Sequence, residues 1–390
     1  MKPLAITAYT LTSALGRGAA AMLGALRAGK GGLRPNDFDR AEVRAWIGRV
    51  ADLEDEPLEG RFAAFDCRNN RLAQLALAQD DFREAVSRAK AKHGASRVAV
   101  LLGTSTSGIL RTELAYRARD AEGRLPAAVN YRHAQNLYSV TDFVHRALEL
   151  EGPAVTISTA CSSSAKVFAA AARYIEAGVA DAAVVGGVDS LCLTTLHGFA
   201  SLQLVSDEPC RPFDAARKGM SIGEAAGFAL LERAPLDGLV LAGYGESSDA
   251  HHMSTPHPEG EGALAAMRAA LERSGLDPSA IDYVNAHGTA TPANDRVEDR
   301  ALVRLFHGKV PVSSTKGWTG HALGAAGIVE AVACFLALQH GFIPGTLNTS
   351  APEPGMESDI VLQTRAARLR RALSNSFGFG GSNCSLVFAA

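Results

Sequence analysis

Cys161 is the residue whose type and position most clearly suggest chemistry. It follows an apolar, β-branched run at 154–158 and precedes an Ala-rich segment of helical period, which predicts a strand-to-helix turn with the sulfur at its apex. Backbone N–H groups at a helix N-terminus favour a thiolate, so we expect a lowered pKa. The small neighbours Ala160 and Ser162 leave space for a substrate. The pattern predicts a nucleophile, whereas the other five cysteines fit ordinary buried positions.

Two histidines and a lysine occupy related positions later in the chain. His287 and His321 each follow an apolar strand pattern and stand in a Gly/Thr-rich turn, where α/β sheets present side chains to ligands. Lys316 shares the segment of His321, and Glu330 follows in an apolar helical segment where an unpaired carboxylate is costly. We expect a buried pair between Lys316 and Glu330. With Cys161, these residues indicate a catalytic site.

A metal centre is not favoured. The six cysteines form no Cys-x-x-Cys pair and no cluster with zinc-site spacing. His251, His252 and His257 stand together, but in a Ser/Pro-rich segment without supporting carboxylates. The Gly-rich segments do not match a phosphate-binding loop. We therefore expect neither a bound metal nor a nucleotide cofactor.

Composition bounds the fold and the partners. The chain has 390 residues, of which 47% are hydrophobic and 21% charged, so it can bury a large core. Its 39 Lys and Arg balance 41 Asp and Glu, which argues against nucleic-acid binding. The most apolar stretch, 324–338, contains Glu330, so no membrane span is expected. The cysteine pattern and the polar residues near the N-terminus predict a cytoplasmic protein.

The elements that must position these residues alternate between short β-branched runs and Ala-rich helical segments, which is typical of an α/β fold. Segments 6–33 and 239–276 share the order strand, loop, helix, which indicates an internal duplication into halves 1–235 and 236–390; the alternative is two ordinary βα units. The predicted strands are 4–8, 98–102, 154–158, 182–185, 227–231, 239–242, 283–285, 310–314, 360–363 and 385–388.

Four motifs show what the chain resembles. It is similar to the β-ketoacyl-acyl carrier protein synthases, condensing enzymes of the thiolase-like superfamily, and most closely to their elongating type I/II branch. The resemblance covers nearly the whole chain and implies a five-layer αβαβα sandwich of two similar halves. The motifs are TACSSS around Cys161, RPFDAARKGMSIGEAAGFALLE from 211, NAHGTATPAND around His287, and STKGWTGHALGAAGIVE around His321.

The resemblance implies a role for each candidate. Cys161 would accept the acyl group as a thioester, and His287 and His321 would bind the malonyl thioester and stabilise the enolate formed when carbon dioxide leaves. Lys316 would tune and orient the histidines, and Glu330 would hold Lys316. The positions that would contact substrate are Thr289 and Thr291 at the pantetheine arm, Phe379 at a gate beside the cysteine, and Thr106 at the acyl-pocket gatekeeper position.

One position departs from the family pattern. Trp318 stands in a Gly-Trp pair where housekeeping members have a small residue and methionine, and we expect this bulky ring to reshape the pocket. A non-catalytic partner subunit would lack the cysteine that is present here. A degradative thiolase would need a second cysteine where Phe379 stands.

The implied reaction is a decarboxylative Claisen condensation of an acyl group on Cys161 with malonyl-acyl carrier protein, giving β-ketoacyl-acyl carrier protein and carbon dioxide in fatty-acid-like elongation. The main alternative is a specialised polyketide or aryl polyene ketosynthase that uses an unusual primer. No cofactor is implied beyond the phosphopantetheine of the carrier protein.

The implied partners are an acidic carrier protein and a second subunit. We expect a homodimer, with a heterodimer with a related ketosynthase-like subunit as the alternative. An acidic carrier protein requires a basic docking patch. The candidates for this patch are Arg61, Arg68, Arg71, Arg211, Arg217 and Lys218.

Overall fold

Two groups of five strands, called here the first and second sheets, organise the chain; they belong to one 12-stranded hydrogen-bonded sheet that also includes short edge strands. The computed structural model describes residues 1–38, 41–127 and 129–390. The first sheet contains β1 (Leu4–Ser13), β2 (Val98–Gly103), β3 (Ala154–Ile157), β4 (Ala182–Asp189) and β5 (Ala225–Glu232). The second contains β6 (Val240–Ser248), β7 (Tyr283–Asn285), β8 (Pro311–Ser313), β9 (Arg371–Gly378) and β10 (Ser382–Ala389).

Both sheets have the same topology. In each, the strands lie side by side in the order first, fifth, fourth, second, third of that half. The first two pairings are antiparallel and the last two are parallel. A short antiparallel pairing of β1 with β6 joins the sheets, with Leu4 opposite Leu241. This repeated order confirms the prediction of two similar halves.

Helices form three layers around the sheets. Helices α6 and α11 pack against each other and against both sheets, while α2, α3 and α5 cover the outer face of the first sheet and α8 and α9 flank the second. These layers give the five-layer αβαβα sandwich that was predicted. The helices are α1 (Ala19–Ala28), α2 (Arg68–Leu77), α3 (Phe82–His93), α4 (Ile109–Arg117), α5 (Ser139–Ala147), α6 (Ser163–Glu176), α7 (Leu193–Ser201), α8 (Glu261–Ser274), α9 (Pro292–Phe306), α10 (Lys316–Thr319) and α11 (Ala326–His340).

The central helix α11 is apolar on nearly all sides. The segment Leu323–His340 is long and apolar enough to cross a membrane by length and composition, and 89% of it is buried inside the protein. A helix enclosed between two sheets has no solvent-facing stripe, which explains this composition. Glu330 is the acidic residue within it.

One predicted strand is shorter than expected, and one strand was not predicted. Within 360–363 only Ile360 belongs to a strand, the edge pair Asp359–Ile360 that lies parallel to β8, whereas the unpredicted β9 has an internal place in the second sheet. The sequence of β9, RALSNSFG, carries Ser and Asn where β-branched residues are usual, so local pattern does not reveal it. Two of these polar residues, Asn375 and Ser376, contact buried carboxylates near the site.

Candidate active site

Cys161 lies in the turn between β3 and α6. Ala160 has a φ of 52°, a region that residues with a side chain rarely occupy. Two local bonds hold this turn: Ser163 Oγ accepts the Thr159 N–H at 2.9 Å, and Ser162 Oγ donates to the Thr159 carbonyl at 2.9 Å. Small hydroxyl side chains therefore fix the backbone that presents the sulfur. The strand-to-helix turn predicted from sequence is present.

The two histidines converge on the sulfur. His321 Nε2 lies 2.9 Å from Cys161 Sγ. This sulfur and one ring nitrogen from each of His287 and His321 lie within 4.8 Å of one another. The imidazole rings stand nearly perpendicular, with centroids 5.4 Å apart. Residues that are far apart in sequence thus form one buried cluster at the junction of the two halves.

Lys316 is buried and fixes the orientation of His287. Its ammonium donates to the Glu330 carboxylate and to the His287 carbonyl, and it lies 3.3 Å from His287 Nδ1. A donor at Nδ1 leaves the imidazole proton on Nε2. Glu330 also accepts a bond from Ser376 Oγ at 3.0 Å. The expected pair of Lys316 and Glu330 is present.

Burial and charge keep the cluster neutral. Burial lowers the pKa of both His287 and His321 well below the ordinary value, and the Lys316 ammonium acts in the same direction. Burial raises the pKa of Cys161 to about 11, outweighing Lys316 and the Phe379 N–H. The lowered cysteine pKa expected from the helix N-terminus is therefore wrong, because desolvation opposes the thiolate more strongly. The resting site holds a thiol and two neutral imidazoles.

A cavity of about 360 Å³ leads to the cysteine. Thr289 and Thr291 line it and bond to each other through their hydroxyls at 2.8 Å. Phe379 lies beside the sulfur, and its ring meets the Phe199 ring edge-on, with centroids 5.7 Å apart. The structure thus places Thr289, Thr291 and Phe379 on the cavity wall. Phe199 was not anticipated, because an aromatic residue in an ordinary helical pattern carries no distinctive signal.

Two residues expected at the pocket lie elsewhere. Trp318 packs in the central core, and its Nε1 donates to the Gly345 carbonyl at 2.8 Å. It does not line the cavity, so it does not reshape the cavity directly. Thr106 also lies outside the cavity, and its hydroxyl donates to Asp189 at 2.8 Å.

Two buried carboxylates hold the turn that carries His287. Glu298 accepts the His287 N–H at 2.8 Å and the Gly288 N–H at 2.7 Å, while Asp295 accepts the Ala290 N–H at 3.2 Å. Burial raises the pKa of Glu298 to about 7 despite these donors. Neither residue was predicted from the sequence. Their signal is their place at the start of the Pro-initiated helix directly after the His287 turn.

The basic residues proposed for carrier-protein docking divide into buried and exposed groups. The Arg68 side chain is only 7% exposed, between Glu54 and Glu224. The Arg217 side chain is only 2% exposed and pairs with Glu353 at 2.6 Å. Arg68 and Arg217 are therefore not candidates for carrier-protein docking, because both guanidinium groups are buried in ion pairs with carboxylates of this chain.

The remaining basic candidates reach the surface to different extents. Arg71 pairs with Asp66 at 2.6 Å, and Arg61 is exposed near Glu149. Arg211 and Lys218 share Glu208 as a partner, at 2.8 and 2.6 Å. Lys218 stands two residues before Met220, which lines the cavity.

The Cys161, His287 and His321 cluster has the donor types of a zinc site, but its surroundings do not fit one. The Lys316 ammonium, 3.3 Å from His287 Nδ1, repels a divalent cation, and Cys161 is a thiol with a raised pKa. The other group of histidines comprises His251, His252 and His257. Within it, His252 Nδ1 accepts the N–H of Ser254 at 3.2 Å, so this nitrogen is used inside its own loop.

Comparison with known proteins agrees with this geometry. Family models described as beta-ketoacyl synthase, N-terminal domain, and beta-ketoacyl synthase, C-terminal domain, match residues 1–236 and 239–350. The chain is 34% identical to 3-oxoacyl-(acyl-carrier-protein) synthase 2 of Coxiella burnetii, covering 98% of this chain and 97% of that protein. It is 43% identical to the mitochondrial 3-oxoacyl-(acyl-carrier-protein) synthase of Arabidopsis thaliana, over 62% and 57% of the two chains.

A solved structure gives a similar result. The chain superposes on a chain of the ketosynthase in complex with its chain length factor from Xenorhabdus doucetiae, with a TM-score of 0.91 and 36% identity. The match covers 100% of this chain and 98% of that chain.

Proposed function

The chain belongs to the β-ketoacyl synthase family and is a condensing ketosynthase, and we propose that Cys161, His287 and His321 perform its decarboxylative Claisen condensation. An acyl group on the cysteine joins malonyl-acyl carrier protein, giving β-ketoacyl-acyl carrier protein and carbon dioxide. The observation that carries this proposal is the convergence of the sulfur and two imidazole nitrogens within 4.8 Å at the end of a cavity.

The first half-reaction loads the cysteine. The sulfur attacks the thioester carbonyl of the acyl carrier protein, and His321 Nε2, 2.9 Å away, takes the thiol proton. The carbon–sulfur bond to pantetheine breaks, and the proton leaves with the pantetheine sulfur. The backbone N–H groups of Cys161 and Phe379 are the candidate donors to the tetrahedral oxyanion.

The second half-reaction forms the carbon–carbon bond. The malonyl thioester loses carbon dioxide, its electron pair moves to the thioester oxygen, and N–H groups of His287 and His321 stabilise that oxygen. The enolate carbon then attacks the acyl carbonyl, the bond from that carbonyl to Cys161 breaks, and the departing sulfur takes up a proton from solvent to return to the thiol. His321 Nδ1 has no hydrogen-bond partner within the described residues, so no neighbour fixes its tautomer. Nε2 can therefore accept a proton during loading and donate a hydrogen bond during condensation.

The carrier protein brings both substrates on phosphopantetheine, and no other cofactor is proposed. Thr289 and Thr291 on the cavity wall offer hydroxyls to the amide groups of the pantetheine arm. Exposed Lys218, with Arg211, supplies positive charge for an acidic carrier surface. Lys218→Glu should raise the KM for carrier-bound substrates, with little change in kcat, and Arg61→Glu tests the second exposed position.

A second chain of the same fold is the proposed subunit partner. Strand β3 ends the first sheet, and its four residues are only half-buried. The outer edge of such an end strand is a template for pairing with another chain. The relative solved with a chain length factor supports a heterodimer. The segment that precedes β3 in the chain carries several exposed large apolar residues, namely Leu114, Tyr116, Leu125, Tyr131, Leu137 and Tyr138.

Light scattering of the chain expressed alone, and coexpressed with a related ketosynthase-like subunit, tests the partner. A dimer from the single chain supports the homodimer, and a dimer only on coexpression supports the heterodimer. A monomer under both conditions would contradict the proposed interface. We place the protein in the cytoplasm, which its buried, free cysteines support.

Mass spectrometry tests the reaction. The protein, with Cys161→Ala as the matched control, is incubated with a panel of acyl-carrier proteins and then with malonyl-carrier protein. Acyl mass on the peptide containing Cys161, followed by a β-ketoacyl product, is expected only for the native cysteine. The preferred primer separates fatty-acid-like elongation from a specialised polyketide or aryl polyene pathway. Absence of acylation with every primer, alone and with the partner subunit, would refute the proposed function.

A further inference from the structure

We propose that Asp189 is a positioning residue that holds His321 in place against Cys161. Asp189 is the last residue of β4, in the half of the chain that carries the cysteine, and its side chain is fully buried. The inference rests on the proposed condensation, because it assigns a further residue to the same site.

The Asp189 carboxylate accepts hydrogen bonds from neutral donors in two separate segments. From the turn after β2 it accepts four bonds at 2.7 to 2.9 Å, donated by Thr104 Oγ1, the Ser105 N–H, the Thr106 N–H and Thr106 Oγ1. Ser105 Oγ donates a fifth at 2.5 Å. The Gly324 N–H donates at 2.6 Å from the second half. The carboxylate therefore ties the turn after β2 to the turn after His321.

The turn after His321 depends on this bond. Leu323 has a φ of 50°, which is unfavourable for a branched side chain. A Cβ on Gly324 would lie 2.7 Å from Asp189 Oδ2, so only glycine permits this close approach. The bond thus anchors a strained turn three residues beyond the imidazole that meets Cys161 at 2.9 Å.

The charge of Asp189 also acts on the cysteine. Burial is the main cause of the raised Cys161 pKa, and the Asp189 charge contributes in the same direction. Replacing the carboxylate with an amide removes this contribution, while replacing it with a longer carboxylate keeps the charge and changes only the geometry. The two substitutions therefore separate position from charge.

The experiment compares Asp189→Asn and Asp189→Glu with Asp299→Asn. Asp299 is a matched control because it is buried and accepts backbone N–H groups of Ser358 and Glu357, at 3.0 and 3.3 Å, outside the site. We expect kcat to fall about ten- to hundredfold in both Asp189 variants with KM little changed, since a small misplacement near reacting groups has effects of this size. The control should keep wild-type kcat.

Alkylation of Cys161 by iodoacetamide, followed against pH, provides the second readout. The profile should shift to lower pH in Asp189→Asn and stay in place in Asp189→Glu and Asp299→Asn. Wild-type kcat in Asp189→Asn, or a reduced kcat with no shift in its profile, would overturn the proposal. Alkylation needs no carrier protein, so this readout remains valid even if the proposed condensation fails.

Milder variants keep the test usable if Asp189→Asn does not fold. Thr104→Val and Ser105→Ala each remove one hydroxyl donor and leave the carboxylate less restrained. A smaller fall in kcat in the same direction is expected from each. Wild-type kcat in both would overturn the role of Asp189.

Discussion

Removal of each histidine should affect the half-reactions differently. At pH 8, a thiol with a pKa of about 11 is ionised in roughly one molecule per thousand, so loading depends on a base. His321 Nε2 contacts the sulfur at 2.9 Å, whereas His287 Nδ1 faces Lys316 at 3.3 Å. We therefore expect His321→Ala to slow acyl loading about a hundredfold or more, the usual contribution of a general base. His287→Ala should load normally.

The second half-reaction should be slow in both variants. Each imidazole supplies one N–H to the developing enolate oxygen, and loss of such a donor typically lowers the rate by about 10² to 10³. Malonyl decarboxylation should therefore fall by this factor in His287→Ala and in His321→Ala. The loss corresponds to about 2.7 to 4 kcal/mol of transition-state stabilisation.

Single-turnover acylation of Cys161, measured by mass spectrometry, reports loading, and carbon dioxide release from malonyl-carrier protein reports decarboxylation. His340→Ala is the matched control, because His340 is an exposed histidine at the end of α11. Equal loss of loading in His287→Ala and His321→Ala would refute the assignment of His321 as the base. Undiminished decarboxylation in His287→Ala would refute its role as a donor to the enolate.

Three further results are expected. Cys161→Ser should lose acyl loading while keeping its melting temperature, because an alcohol is a far weaker nucleophile than a thiolate; loading near the wild-type rate would contradict the nucleophile assignment. Thr106→Ser, which keeps the hydroxyl that donates to Asp189, should leave the ratio of long-chain to short-chain acylation unchanged, because Thr106 lies outside the cavity; a changed ratio of Cys161 acylation rates would mean that Thr106 borders the acyl chain after all. Glu353→Gln should lower the free energy of unfolding by about 1 kcal/mol near neutral pH. Hydrogen bonds from Arg296 and Arg217 lower the pKa of Glu353 to about 2. The difference in unfolding free energy between wild type and Glu353→Gln should therefore shrink as pH falls from about 4 toward 2. Urea titrations in which this difference stays constant over that range would contradict the prediction.

The sequence by itself determined the elements with strong local signals. Cys161 lies between a β-branched run and an Ala-rich helix, and Gly/Thr-rich turns surround His287 and His321. These local patterns were enough to predict that the three residues share a site, and the structure brings them together. The repeated order of strand, loop and helix also predicted two similar halves. These features depend on short-range backbone preferences and hydrophobic periodicity, which neighbouring residues largely encode.

Only the tertiary structure decided the direction of the Cys161 pKa shift, the internal place of β9, and the burial of Arg68, Arg217 and Trp318. Each depends on which distant segments pack around a group. A helix N-terminus is a local property and favours a thiolate, but desolvation is set by every layer that surrounds the sulfur. The polar residues of β9 likewise depend on distant partners, because Asn375 donates to Glu298 of α9 and Ser376 donates to Glu330 of α11. Burial is therefore the quantity that local sequence pattern could not supply.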